Sequence, residues 1–145
     1  MKAAGIDIGD SIYDNSLMKE AKRLSNDKKV IFPADCRVKG KMILDIGPNT
    51  AMLYSDLIKS AGTVIWAGPM GNFENKSFAH GSEAIAKALA LSRGLTFAGG
   101  GETTSIILSL KLDKKIGFLS TGGGAMLEFL SGKKLPALEA LKMRY

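Results

Sequence analysis

The chain is poor in the residues that build covalent staples and soft-metal sites. Of its 145 residues only Cys36 is a cysteine and only His80 a histidine. A lone cysteine cannot form an internal disulfide, which suits a reducing cytoplasm, and Cys36 reads as a small apolar filler. One histidine excludes a His-rich metal site. No apolar run approaches the ~18 residues of a transmembrane helix. The opening Met1-Lys2-Ala3-Ala4-Gly5 lacks an apolar core, so no signal peptide is expected. Long runs of one charge are absent as well. The net charge of +6 favours anionic partners, yet the basic residues are scattered in pairs: Lys22-Arg23, Lys28-Lys29, Lys114-Lys115 and Lys133-Lys134. No aromatic residues interleave with them. Nucleic acid and membrane are therefore not expected as partners; small phosphorylated ligands are.

What is present is an ordinary globular composition at a length that suits one domain, enriched in glycine at 17 residues. Ala4 to Ser11 reads as a loop entering a helix, with Asp14 or Asn15 as N-cap and Leu17, Met18, Ala21 and Leu24 on one face. Val30 to Ala34 reads as a buried strand, Cys36 to Lys41 as a short basic turn, and Met42 to Ile46 as a brief extended piece. Asn49 or Thr50 caps the next helix, which carries Leu53, Leu57, Ile58 and Ala61 on one face. Gly62 fits its end. Thr63 to Trp66 is a β-branched strand. Gly81-Ser82 opens a helix with Ile85, Ala88 and Leu89, closed by Arg93-Gly94. The strand Leu95–Ala98, a helix over Ser105–Leu110, a strand over Ile116–Leu119, a helix over Met126–Leu130 and a last helical turn from Pro136 to Leu141 complete the order. Strict alternation predicts an α/β domain with a parallel sheet of about four strands flanked by helices.

The organising stretch is Thr96-Phe97-Ala98-Gly99-Gly100-Gly101-Glu102-Thr103-Thr104-Ser105. It reads as strand, tight turn and helix start. Glycines let backbone N–H groups approach a ligand, and a helix N-terminus favours an anion. A plain strand-to-helix turn is the competing reading. Two further strands end in glycine loops, around Gly68 and Gly122. In a parallel sheet with right-handed crossovers all three loops fall on one edge, where ligands of such sheets bind. Glu74 and Glu102 supply acids there; Thr103, Thr104, Ser120 and Thr121 supply hydroxyls. No loop matches the G-x-x-x-x-G-K-[ST] or G-x-G-x-x-G phosphate patterns, and no nucleophile elbow or Cys-His pair occurs.

At these loops the sequence resembles the C-terminal, nucleotide-binding domain of phosphoglycerate kinase. The blocks that carry the resemblance are Leu44-Asp45-Ile46-Gly47-Pro48, the run from Val64 through Trp66-Ala67-Gly68-Pro69 to Glu74, Gly99-Gly100-Gly101-Glu102-Thr103, and Ser120 to Leu130. Gly132 to Leu141 also fits. The ordered set spans nearly the whole chain, so that 1–145 reads as a partial C-terminal domain. The resemblance implies a Rossmann-like sheet and reversible phosphoryl transfer between 1,3-bisphosphoglycerate and Mg-ADP, a cytoplasmic step of glycolysis. It implies Mg²⁺ and ADP or ATP as ligands. It assigns Glu74 to the ribose, Pro69 and Phe73 to the pocket walls, and Ile12 and Leu44 to the adenine. Glu102 stands at the metal position. Gly101 and Gly124 are donors around the transferred phosphoryl, with Gly100, Thr103 and Thr104 beside the nucleotide.

Three departures accompany the match. Ala67 stands where the family has Asn, Glu102 stands where it has Asp, and the connection from Cys36 to Met42 is far shorter than usual. A complete member also has an N-terminal domain carrying the phosphoglycerate site, and further strands of the C-terminal domain. Family members continue upstream of Lys2-Ala3-Ala4-Gly5, so a piece of a longer protein, inactive alone, is expected. Strand Val30–Ala34 would then slide beside Thr63–Ala67 or be satisfied by a second copy, since exposed strand edges invite self-association. The competing expectation is a non-catalytic α/β module that keeps the fold and has lost the ligand.

Overall fold

A computed structural model describes residues 1–142. The chain divides into two units, one made of Met1–Tyr54 and Met70–Gly81, the other of Ser55–Pro69 and the chain from Ser82 onward.

In the first unit, α1 is Met18–Ser25. It starts later than its polar prelude suggests. Asp14 accepts hydrogen bonds from the Ser16 N–H and hydroxyl at 2.8 and 2.7 Å, a local turn that uses up the expected cap. Two strands follow, β1 (Cys36–Lys39) and β2 (Met42–Ile46), paired antiparallel. The expected basic turn at Cys36–Lys41 is thus a strand and a two-residue loop. Gly40 at φ 61° makes that tight reversal possible. Helix α2 spans Pro48–Ser60, with proline in its first position, where a missing N–H costs nothing. Its cap is neither Asn49 nor Thr50. The Asp35 carboxylate accepts from the Asn49 N–H at 3.1 Å and from the Thr50 N–H and hydroxyl, both at 2.7 Å. Burial pushes the Asp35 carboxyl up, but these bonds, with Arg37 nearby, together hold it below its ordinary value. Cys36 is half-buried; burial and Asp35 push its thiol up, away from reactivity.

Val30–Ala34 is not a strand. Val30 and Ile31 are exposed, the Ile31 carbonyl accepts from the Tyr54 hydroxyl at 2.9 Å, and Pro33 has no N–H to offer. An apolar β-branched run becomes a strand only where a neighbour takes its ladder bonds. The expectation that this stretch joins the sheet falls with it.

The second unit holds the parallel sheet. Strand β3 (Thr63–Ala67) pairs with β4 (Leu95–Gly99), which pairs with β5 (Phe118–Ser120); all are parallel, in the order β3-β4-β5. The sheet therefore has three strands where about four were expected. Helix α3 (His80–Leu91) connects β3 to β4, and α4 (Gly101–Ser109) connects β4 to β5. The chain continues through α5 (Gly123–Leu130) to α6 (Pro136–Lys142). Ile85, Ala86, Ala88 and Leu89 of α3, Ala98 of β4, and Ile106 and Ile107 of α4 form the core. On α3, periodicity marks Ile85, Ala88 and Leu89 in the sequence; Ala86 joins them in the structure. One side of the sheet carries a second apolar surface: Ile65, Phe97 and Phe118, with Met126, Phe129 and Leu138, line a hollow of about 920 Å³.

Candidate functional site

Two helices begin earlier than periodicity predicts, and this shapes the glycine edge. Helix α4 starts at Gly101 rather than Ser105, and α5 at Gly123 rather than Met126. The glycines are themselves the first turns. Helical periodicity misses them because glycine carries no apolar side chain to mark a face. No side chain caps either helix, so backbone donors at both N-termini are left for solvent or a ligand. A Cβ at Gly101 or Gly124 would meet nothing within 4 Å. These two positions, expected to be phosphoryl donors, are open.

The three glycine loops are tied together. The Gly100 N–H donates to the Ser120 carbonyl at 3.1 Å, joining the β4 and β5 loops. The Gly68 N–H donates to the Thr103 hydroxyl oxygen at 2.9 Å, joining the β3 loop to the first turn of α4. A Cβ at Gly123 would come within 2.6 Å of the Gly100 main chain, so α5 enters against the β4 turn with no room for a side chain. Gly100 itself adopts φ 104°, ψ 145°, a region essentially reserved for glycine. Parallel strands joined through helices thus gather the loops at one edge, as the alternation of elements predicts.

The individual residues divide by what faces outward. Glu102 is exposed in the first turn of α4. Among the described residues no group of three His, Cys, Asp or Glu side chains could hold a metal, which leaves Glu102 outside any such cluster. Its carboxylate fits Mg²⁺ carried mainly by phosphate oxygens and water. Thr103 and Thr104 face the other way. Thr103 is fully buried, with its oxygen taken by Gly68. The Thr104 N–H closes the first helical turn on the Gly100 carbonyl, and its hydroxyl is buried without a partner among the described residues. Pro69 follows Gly68 at the end of the β3 loop, half-buried.

The remaining candidates belong to the first unit and are brought together there. The Asn72 N–H donates to the Leu44 carbonyl at 2.8 Å, which sets the Phe73-Glu74 segment against the end of β2. The Ser11 hydroxyl oxygen accepts from the Ile43 N–H at 2.9 Å, which brings Ile12 to the same strand. Ile12 is nearly fully exposed and Glu74 is exposed; Leu44 and Phe73 are half-buried. Sequence reasoning assigned no role to Asp35 or Asp45. An aspartate flanked by Leu44 and Ile46 in a strand is a carboxylate at a core position, and that pattern was the available signal for Asp45.

A parallel sheet whose strand ends carry three mutually bonded glycine loops, with two uncapped helix N-termini among them, defines an α/β protein of the Rossmann-like class. The sequence profile of the phosphoglycerate kinase family matches residues 1–133. The chain belongs to that family. It is similar to a phosphoglycerate kinase of Francisella tularensis subsp. tularensis (strain WY96-3418), 39% identical over 166 residues that take in 98% of this chain and 42% of that protein. The aligned stretch exceeds the 145 residues of this chain, so the relative carries additional residues inside the matched span. Among solved structures, the phosphoglycerate kinase of Coxiella burnetii superposes with a TM-score of 0.84 at 35% identity, over 95% of this chain and 42% of that one. That of Pyrococcus horikoshii OT3 gives 0.81 at 31%, over 97% and 42%. The chain thus spans less than half the length of these relatives.

Proposed function

We propose that the glycine edge binds the phosphates of ADP or ATP with Mg²⁺, and that this chain supplies the nucleotide-binding part of a cytoplasmic phosphoglycerate kinase. The observation that supports this is the pair of adjoining, glycine-opened helix N-termini of α4 and α5. Phosphoryl transfer needs positioned donors and neutralised charge more than a nucleophilic side chain. The Gly101 and Gly124 N–H groups meet that need, with Gly100 shaping the turn and Thr103 and Thr104 fixing it from inside. Glu102 would hold Mg²⁺, which when bound neutralises phosphate charge. The family resemblance assigns Glu74 to the ribose, Phe73 and Pro69 to pocket walls, and Ile12 and Leu44 to the base. The second substrate, phosphoglycerate, is held by the N-terminal part of the longer family protein, so this chain alone binds nucleotide without turning over. Ala67 and the longer Glu102 arm favour a second reading, a module that keeps the fold without the ligand.

Calorimetry with Mg-ADP separates the two. Measurable heat is expected, with affinity about tenfold weaker in Glu74→Ala, the size of one lost charge-assisted hydrogen bond. Silence at millimolar nucleotide favours the second reading, and family-like turnover in a coupled assay overturns the inactivity of the isolated chain. The free side of β3 is the proposed route to self-association. Its sequence Thr63-Val64-Ile65-Trp66-Ala67 has no charge to guard it, and among the described residues it pairs only with β4. Sedimentation coefficients should rise with concentration and stop rising in Ile65→Lys; a monomer at every concentration removes this route.

A further inference from the structure

The segment Gly71–Gly81 carries Phe73 and Glu74, and both of its ends close on one buried carboxylate. Asp45 is 1% exposed. Its Oδ2 accepts from the Gly81 N–H at 2.9 Å, and its Oδ1 accepts from the Ile46 N–H at 2.9 Å. At the other end, a Cβ on Gly71 would lie 2.5 Å from Asp45 Oδ1 and 2.5 Å from the Leu44 carbonyl. A Cβ on Gly81 would lie 2.3 Å from the same Oδ1. Glycine at both ends is therefore the condition for the carboxylate to sit where it does. Within the segment the hydrogen bonds are local: Phe73 to Gly71, Asn75 to Asn72, Phe78 to Asn75, and the Ser77 N–H to the Asn75 side chain. The segment is a series of tight turns, held to β2 through the Leu44 carbonyl and Asp45.

We infer that Asp45 is a positioning residue for nucleotide binding: by bonding the Gly81 end of Gly71–Gly81 and packing closely against the Gly71 end, it sets where Glu74 and Phe73 stand. The inference rests on the nucleotide reading of Glu74. A buried carboxylate that served packing alone would be expensive; here it accepts one main-chain donor from β2 and one from the segment, and the segment carries the exposed Glu74. Asp45→Asn keeps one acceptor oxygen and nearly the same volume, but replaces the other oxygen with a donor facing the Gly81 or the Ile46 N–H.

The test uses the full chain with Asp45→Asn, Glu74→Ala and the double variant, titrated with Mg-ADP and with inorganic pyrophosphate. Asp45→Asn should weaken ADP by about tenfold, as for one buried hydrogen bond to a charged group, and leave pyrophosphate within about twofold. In the Glu74→Ala background it should cost little further, because the two act through one contact. Amide exchange should quicken across Gly71–Gly81 and not in the core helices. A merely structural role would weaken both ligands alike and add fully to Glu74→Ala, and either result overturns the inference. If wild type binds pyrophosphate but not ADP, the reading of Glu74 fails, and this inference with it. If it binds neither, exchange decides: unchanged protection of Gly71–Gly81 in Asp45→Asn removes Asp45 as the holder of the segment.

Discussion

Gly123→Ala should destabilise the second unit. The new Cβ would meet Gly100 Cα and N, each at 2.6 Å, and the Gly99 carbonyl carbon at 3.1 Å. These are main-chain atoms, unable to turn aside as a side chain would. Moving Gly100 breaks its bond to the Ser120 carbonyl, and moving Gly99 disturbs its register with Ser120 in the β4–β5 pair. Overpacking a fitted site costs about 1–3 kcal/mol, occasionally more, and a main-chain obstacle puts this case at the upper end. Thermal unfolding checks it. The comparison variant is Gly124→Ala, where the Cβ meets nothing within 4 Å. It should melt at or slightly above the wild-type temperature, since alanine narrows the unfolded ensemble, yet weaken Mg-ADP by crowding the open donor. Equal melting of the two variants would mean that the tight entry of α5 is not a constraint.

Thr103→Val should also be costly. Valine keeps the shape of a fully buried side chain and removes the oxygen that accepts the Gly68 N–H at 2.9 Å. A buried donor left without a partner costs about 1–3 kcal/mol. The loss falls on the junction between the β3 loop and α4, so amide exchange at Gly68 should quicken together with a lower denaturant midpoint. Thr103→Ser keeps the oxygen and gives up one methyl group, worth about 0.8 kcal/mol, and should leave Gly68 protected. If valine and serine lower the midpoint equally, the hydroxyl contributes nothing beyond the volume it shares with valine.

Thr103 is a residue that the sequence marks for a ligand and that the folded chain uses for itself, and Gly123 adjoins another, Gly124. A Cβ at Gly101 or Gly124 would meet nothing within 4 Å. The Thr103 and Thr104 hydroxyls are turned inward. A hydroxyl after a glycine turn reads the same in sequence whether it points to a phosphate or to the next loop, because the direction is set by the packing of α4. The glycine loops were legible for a simpler reason: in a parallel sheet, chain order alone puts the strand ends on one edge. The start of each helix was legible only to within a turn, since glycine leaves the apolar period blank.

The sequence by itself determined the α/β alternation, the positions of β3, β4 and the core helices, and the family to which the chain belongs. These follow from apolar spacing and glycine punctuation, which are read within a dozen residues. Only the tertiary structure decided which polar groups pair across the chain: Asp35 with Thr50, 15 residues on; Gly68 with Thr103, 35 residues on; Asp45 with Gly81, 36 residues on. It also decided that Val30–Ala34 is no strand. A strand and a cap each need a partner for their backbone groups, and which partner arrives depends on elements far away in sequence.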